Sequence, residues 1–151
     1  VPTRKRNEAI PTRKTLMKDC VFCKIVKGEI PCHKVYEDKV TFVFLDNRPV
    51  NKCHTLVVPK RHVENIFDAP PSLLKVLMST IQKIAIALGK SADGVNVFMN
   101  NGEAAGQVVF HLHYHLIPRW KDDGLHLKWP HKTYSDQEMK TIAQGIQKLI
   151  A

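Results

Sequence analysis

Acidic residues are in short supply: 14 Asp and Glu stand against 23 Lys and Arg, for a formal net charge of +9. The imbalance is local. Residues 1–18 carry Arg4, Lys5, Arg6, Arg13, Lys14 and Lys18 against Glu8, a net +5, which leaves +4 for the remaining 133 residues. A modestly basic body suits a small anionic ligand, and it argues only weakly for nucleic acid. Aromatics are sparse at 7% and form no stripe on which bases could stack. No apolar run approaches the ~20 residues of a membrane helix, so no membrane association is expected. There are four cysteines and no secretory pattern, which favours free thiols or metal binding over disulfides, in a reducing compartment. No internal repeat is visible.

What remains is the composition of an ordinary globular domain, 44% apolar and 25% charged over 151 residues. The expected organisation is a basic, Pro-containing, disordered tail over 1–18 and one domain over 19–151. Residues 20–27 predict a short helix or knuckle that puts Cys20 and Cys23 on one side. Lys34–Tyr36 and Val40–Leu45 read as paired strands around a Glu37-Asp38-Lys39 turn, and His54–Val58 as a third strand closed by Pro59. Pro70-Pro71-Ser72 opens a helix to Gly89, with Leu74, Leu77, Ile81, Ile84 and Leu88 stepping by 3 and 4 along one buried face. Val95–Met99 and Val108–Ile117 predict two further strands. Ser135 with Glu138 forms a capping-box pattern. It starts a last helix whose apolar face is Met139, Ile142, Ala143, Ile146 and Leu149. Strands with few crossover helices indicate an α+β fold with an antiparallel sheet.

The chemistry concentrates in Phe110-His111-Leu112-His113-Tyr114-His115-Leu116-Ile117-Pro118. In an extended chain, alternate side chains share a face. His111, His113 and His115 therefore line one surface, and Leu112, Tyr114 and Leu116 the other. Two chemistries use such a row. One is a metal cluster of neutral imidazoles. The other is phosphoryl transfer, in which one imidazole attacks phosphorus while its neighbours bind oxygens and assist proton transfer.

His-Leu-His-Tyr-His-Leu-Ile resembles the signature of the histidine triad (HIT) family, in which three histidines alternate with apolar residues. Asn100-Asn101-Gly102-Glu103-Ala104-Ala105-Gly106-Gln107 is similar to the phosphate-side loop that precedes that signature. Asp46, the run His54 to His62 and the run Cys20 to Pro31 match in the right order, so the likeness spans about residues 19 to 120. The resemblance implies a five-stranded sheet in each chain and a homodimer of two chains. It also implies hydrolysis or transfer at the α-phosphorus of a nucleoside phosphoramidate or related conjugate. His113 would be the nucleophile, forming a nucleotidyl-histidine, and His115 would contact the transferred phosphate. His54 would be a further phosphate-side histidine, and Gly106 and Gln107 would offer backbone amides to phosphate oxygens. Asp46 would accept hydrogen bonds from ribose hydroxyls, and Phe22, Ile25, Ile30 and Phe44 would surround a purine base such as that of AMP. Asn100 would lie near the leaving group. Asn47 stands where the family often has an apolar residue, and Cys53 where it usually has glycine. Val108 replaces a serine usual in the phosphoramidase branch, so either phosphoramidate turnover slower than the motif alone implies or a leaving group that needs less help is expected. Trp129-Pro130 resembles a Trp-Pro of that same branch.

Cys20-x-x-Cys23 is a recognised zinc half-site. The resemblance implies its completion by His62 and His111 as a closed, structural Cys2His2 set. Cys20, Cys23, Cys32 and His33 form a local rival set. Within the resemblance, a dinucleoside polyphosphate hydrolase is the alternative activity. A non-catalytic nucleotide-binding scaffold and a zinc-containing nucleic-acid binder are the rival classes, the last disfavoured because the basic residues cluster in the tail. A cytoplasmic location is expected, with organelle targeting by the basic tail as the alternative.

Overall fold

The computed structural model describes residues 19–126 and 129–150, so the expected tail over 1–18 lies outside the described residues. Five strands form one fully antiparallel sheet: β1 (Lys34–Glu37), β2 (Thr41–Leu45), β3 (Thr55–Pro59), β4 (Gly94–Phe98) and β5 (Tyr114–Arg119). Their order across the sheet is β1-β2-β3-β5-β4, which places β5 inside and leaves β1 and β4 at the edges. Helix α1 (Val21–Val26) precedes the sheet, α2 (Pro71–Gly89) joins β3 to β4, and α3 (Asp136–Ile150) ends the chain.

The period-2 pattern divides the core in two. Val43, Val57, Tyr114 and Leu116 face α2 and pack with Leu77, Ile81 and Ile84. Phe42, Phe44, Leu56 and Val58 face the other way, against Phe22, Ile25 and the two cysteines of α1. α2 buries Leu73, Leu77, Thr80, Ile81 and Ile84. The expected Leu74 and Leu88 only flank this stripe. The buried face is thus rotated slightly from the predicted one, and the Thr80 hydroxyl meets the Thr41 hydroxyl at 3.2 Å beneath it. By length and composition α2 could cross a membrane, contrary to the expectation that no run approaches that length. Here it is the core helix of the domain, with Leu77 fully buried.

One further expectation needs correction. β5 begins at Tyr114, not Val108, because residues 108–113 approach the sheet in irregular conformation. Leu112 there donates its amide to the Val63 carbonyl rather than to a neighbouring strand. The predicted sidedness nevertheless persists: Leu112 joins Tyr114 and Leu116 in the α2 core, and the histidines face away from it. α3 has its capping box, with the Ser135 amide donating to the Glu138 carboxylate at 2.8 Å and the Glu138 amide to the Ser135 hydroxyl at 3.3 Å. Among the described residues its apolar face has no packing partner, and Met139, Ile142, Ile146 and Leu149 are all exposed.

The turn before β3 accounts for the odd residue at Cys53. Cys53 has φ 61°, a left-handed conformation that costs a side-chain residue about 1–2 kcal/mol. Glycine adopts it without that cost but loses about 0.5–1 kcal/mol more to backbone entropy. Cys53→Gly should therefore raise unfolding stability in urea by up to about 1 kcal/mol, and the β-branched Cys53→Val should lower it by about as much. A glycine variant less stable than the parent would show that this turn is not strained.

Candidate active site and metal cluster

Two polar centres sit back to back on the α1 side of the sheet, and His111 belongs to both. α1 begins at Cys20, whose Sγ accepts the Cys23 amide at 3.5 Å as the helix N-cap. One helical turn therefore holds both sulfurs together. Across from them lie His62, just past β3, and His111, ahead of β5. Cys20 Sγ is 3.4 Å from His111 Nδ1, Cys23 Sγ is 3.3 Å from His62 Nδ1 and 3.6 Å from His111 Nδ1. All four ligand atoms fall within 4.8 Å of one another. Tetrahedral zinc with ordinary bond lengths separates sulfur from nitrogen by ~3.6 Å, so the spacing fits such an ion. The hydrogen bonding behind the set fits too: His111 Nε2–H donates to the Pro59 carbonyl at 2.9 Å, which leaves Nδ1 bare toward the sulfurs. Burial, with Cys20 beside it, pushes the Cys23 thiol up to about 12. A divalent cation is the partner that would deprotonate it at neutral pH. The rival set is not assembled, because Cys32 and His33 line a separate cleft. All four cysteines are free thiols.

That cleft, of about 650 Å³, opens beside the cluster. Its apolar end is built from Phe22 and Ile25 of α1, Ile30 beyond it, and Phe44 and Leu56 of the sheet. Its polar end holds Asp46, Asn100, Gly106, His113 and His115, with Val108 at the rim and 87% exposed. Arg48 and Leu56 also line it and were missed by sequence reasoning. β3 is apolar and buried at every position, so nothing in its sequence singled out Leu56, whose register partners are Phe44 and His115. Asn47 lines the cleft as well, a polar group where an apolar one was expected to hold a base.

His113 is buried against the edge of Phe22, with ring centroids 5.1 Å apart. Its Nδ1–H donates to the His111 carbonyl at 2.6 Å, so the lone pair lies on Nε2. His115 stacks on Phe98 at 5.0 Å and lies 4.9 Å from the His113 ring. Burial, reinforced by His113 and His54, holds His115 down to about 4, and burial also lowers His113 and His54. All three are neutral at physiological pH.

Three predicted residues sit differently from expectation. Gly106, at φ 84°, closes a 3-10 turn over Glu103–Ala105 and spends its amide on the Glu103 carbonyl at 2.9 Å. The Gln107 amide goes to the Gly102 carbonyl at 3.1 Å. Both amides expected to face phosphate are thus engaged within the loop, because a tight turn satisfies its own donors first. The buried Gln107 side chain staples the loop, donating to Glu64 and Val109 carbonyls at 2.7 and 3.1 Å and accepting the Gly102 amide at 2.8 Å. His54 does not line the cleft; it stands behind His115, with Nε2 2.9 Å from His115 Nδ1.

The HIT domain family matches residues 27–122. The chain belongs to the HIT family. It is 45% identical over 135 residues to the adenylylsulfatase HINT3 of Arabidopsis thaliana, covering 88% of this chain and 67% of that protein. It is 37% identical over 132 residues to the adenosine 5′-monophosphoramidase hnt1 of Schizosaccharomyces pombe, covering 87% and 98%. Among solved structures, a HIT-family protein of Bacillus subtilis superposes with TM-score 0.82 at 42% identity, over 88% of this chain and 98% of that one. A zinc-bound histidine triad protein of Mycobacterium smegmatis superposes with TM-score 0.70 at 40% identity, over 77% and 86%. The HIT fold expected from the sequence is thus present, with its sheet and its triad in place.

The depressed His115 makes stability depend on pH in a stated direction. The unfolded chain binds a proton at this residue as pH falls through its ordinary value of 6.5, whereas the folded chain resists until about 4. Within that window the unfolded state holds more protons and gains on the folded one. Acidification from neutral pH to about 4.5 should therefore destabilise wild type more than His115→Gln, which lacks the titration. Urea unfolding of both proteins at both pH values reads this out, and metal loss affects the two alike. An unchanged difference between them would mean that His115 is not buried as a neutral base.

Proposed function

We propose that this HIT protein is an enzyme that hydrolyses nucleoside 5′-phosphoramidates at the α-phosphorus, with His113 as nucleophile. The observation that carries the reading is the 2.6 Å hydrogen bond from His113 Nδ1–H to the His111 carbonyl. It aims an unprotonated Nε2 into the cleft without needing a separate base. A purine base occupies the apolar end between Phe22, Ile30 and Phe44, and Asp46 accepts from the ribose hydroxyls. In the first step His113 Nε2 bonds to phosphorus, and the P–N bond breaks with its electron pair on the departing nitrogen, which takes one proton from solvent and leaves as the neutral amine. In the second, water bonds to phosphorus and the P–Nε2 bond breaks. His113 regains its lone pair, the nucleoside monophosphate departs, and one proton goes to solvent. Relatives named as an adenosine 5′-monophosphoramidase and an adenylylsulfatase support the substrate class. His113→Ala should lose at least about a thousandfold in kcat on adenosine phosphoramidate while AMP binding survives. Adenylyl sulfate is the second substrate to assay. Turnover by the alanine variant near the parent rate would remove His113 from the chemistry.

Cys20, Cys23, His62 and His111 are the residues that would hold a structural zinc. Four protein ligands leave no open position, so the ion would brace α1 against the strand ends and supply no Lewis acid to the cleft. The spacing of the four atoms and the zinc-bound neighbour support this. Protein purified without chelator should contain one zinc per chain by elemental analysis, and strong chelation should lower its melting temperature. Metal-free protein of unchanged stability would refute a structural ion.

The homodimer belongs to the same reading. β4 is an edge strand, and Val76, Met78 and Ile86 of α2 are exposed on the outer face of that helix. Paired copies would cover such a surface.

A further inference from the structure

The cleft carries one cation of fixed charge among its described lining residues, Arg48, and the proposed chemistry leaves it without a task. Its backbone amide is engaged, but among the described residues its guanidinium has no hydrogen bond or ion pair. Asp46, Asn47 and Arg48 all line the cleft, whereas alternation in an extended chain would turn one of the three away. A turn accounts for this. Asp46 Oδ1 accepts the Arg48 amide at 2.8 Å, which bends the chain directly after β2. The same bond leaves Asp46 Oδ2 for ribose and keeps Arg48 beside it.

Arg48 stands away from the reacting phosphorus. The Leu45 amide donates to the His33 carbonyl at 3.0 Å, so the end of β2 and the entry to β1 form one rim of the cleft. His113 and His115 belong to β5 and its approach, and β3 lies between β5 and β2. Arg48 therefore borders the ribose and base end, a placement of the substrate that rests on the hydrolase reading above. A second phosphate on the ribose is a poor match there, because it would face the Asp46 carboxylate. A neutral base meets no such repulsion. Phe22, Ile30 and Phe44 hold the faces of any base alike, so discrimination needs a polar group at its edge.

A guanidinium donates and never accepts, and it presents two parallel N–H groups. The O6 and N7 atoms of guanine or hypoxanthine are two acceptors side by side on one edge. Adenine keeps N7 but has an amino donor in place of O6, so one arm of the fork would meet another donor. Asn47 offers both a donor and an acceptor and does not choose between them. We infer that Arg48 is a specificity-determining residue that reads the O6 and N7 edge of a 6-oxopurine, so that the cleft prefers guanosine and inosine 5′-conjugates to those of adenosine. Arg48 is exposed, so water competes for the fork and the preference is modest.

Calorimetric titration of the full chain with GMP, IMP and AMP tests this. GMP and IMP should bind alike, about five- to tenfold more tightly than AMP. Arg48→Met keeps the length of the side chain without the fork, and in it the GMP and IMP affinities should fall to that of AMP. AMP bound as tightly as GMP overturns the inference, and so does a GMP preference that survives Arg48→Met. A preference for GMP that IMP does not share would assign the reading to the 2-amino group instead. Equal weakening of all three nucleotides in Arg48→Met would place Arg48 on the phosphate; either result overturns the inference. Steady-state kinetics on guanosine and adenosine phosphoramidates separates it from the reading it rests on. Turnover of both at equal kcat/KM leaves the hydrolase standing and removes the role of Arg48. No turnover of either, with the GMP and IMP preference intact, removes the hydrolase and leaves Arg48 as the reader of the base.

Discussion

His111 is the residue on which both centres depend. It is fully buried, and a buried imidazole without partners would cost several kcal/mol. Each of its polar groups has a partner. Nδ1 faces the two cysteines, Nε2–H donates to Pro59, the backbone amide reaches Val109, and the carbonyl accepts His113. One side chain thus closes a set of four residues with metal-ligand spacing while its own backbone carbonyl orients His113. The cysteine helix and His113 are linked through this one residue.

The sheet supplies the rigidity this needs. β5 is an inner strand with β3 on one side and β4 on the other, and one row across the sheet reads Phe44, Leu56, His115 and Phe98. Two of these residues and α1 form the apolar wall of the cleft, and the third stacks on His115. Burial also sets the electrostatics. It drives the imidazoles below their ordinary value, so that they remain neutral and each keeps one lone pair and one N–H donor.

Much of the fold was legible because its signals are local. The Ser135 and Glu138 cap, the apolar stripe of α2 and the continuous apolar runs of β2 and β3 each involve residues within one or two turns or pleats. The boundaries that failed are those set from outside. β5 starts six residues later than its alternation implied, because Leu112 bonds to Val63 and not to a strand. α3 has the expected cap and the expected apolar face, yet none of the described residues covers it.

The sequence by itself determined the sidedness of the histidine row, the pairing of Cys20 with Cys23 across one helical turn, and the family, since each follows from spacing along the chain. The tertiary structure decided the partners. His111 meets Cys20 across 91 positions, Cys23 meets His62 across 39, and His54 meets His115 across 61. The structure also withdrew the Gly106 and Gln107 amides into their own turn and placed His54 behind the cleft. Hydrogen bonds are short and directional, so the identity of a donor's acceptor depends on fractions of an ångström between distant segments. Periodicity along a chain does not contain that distance.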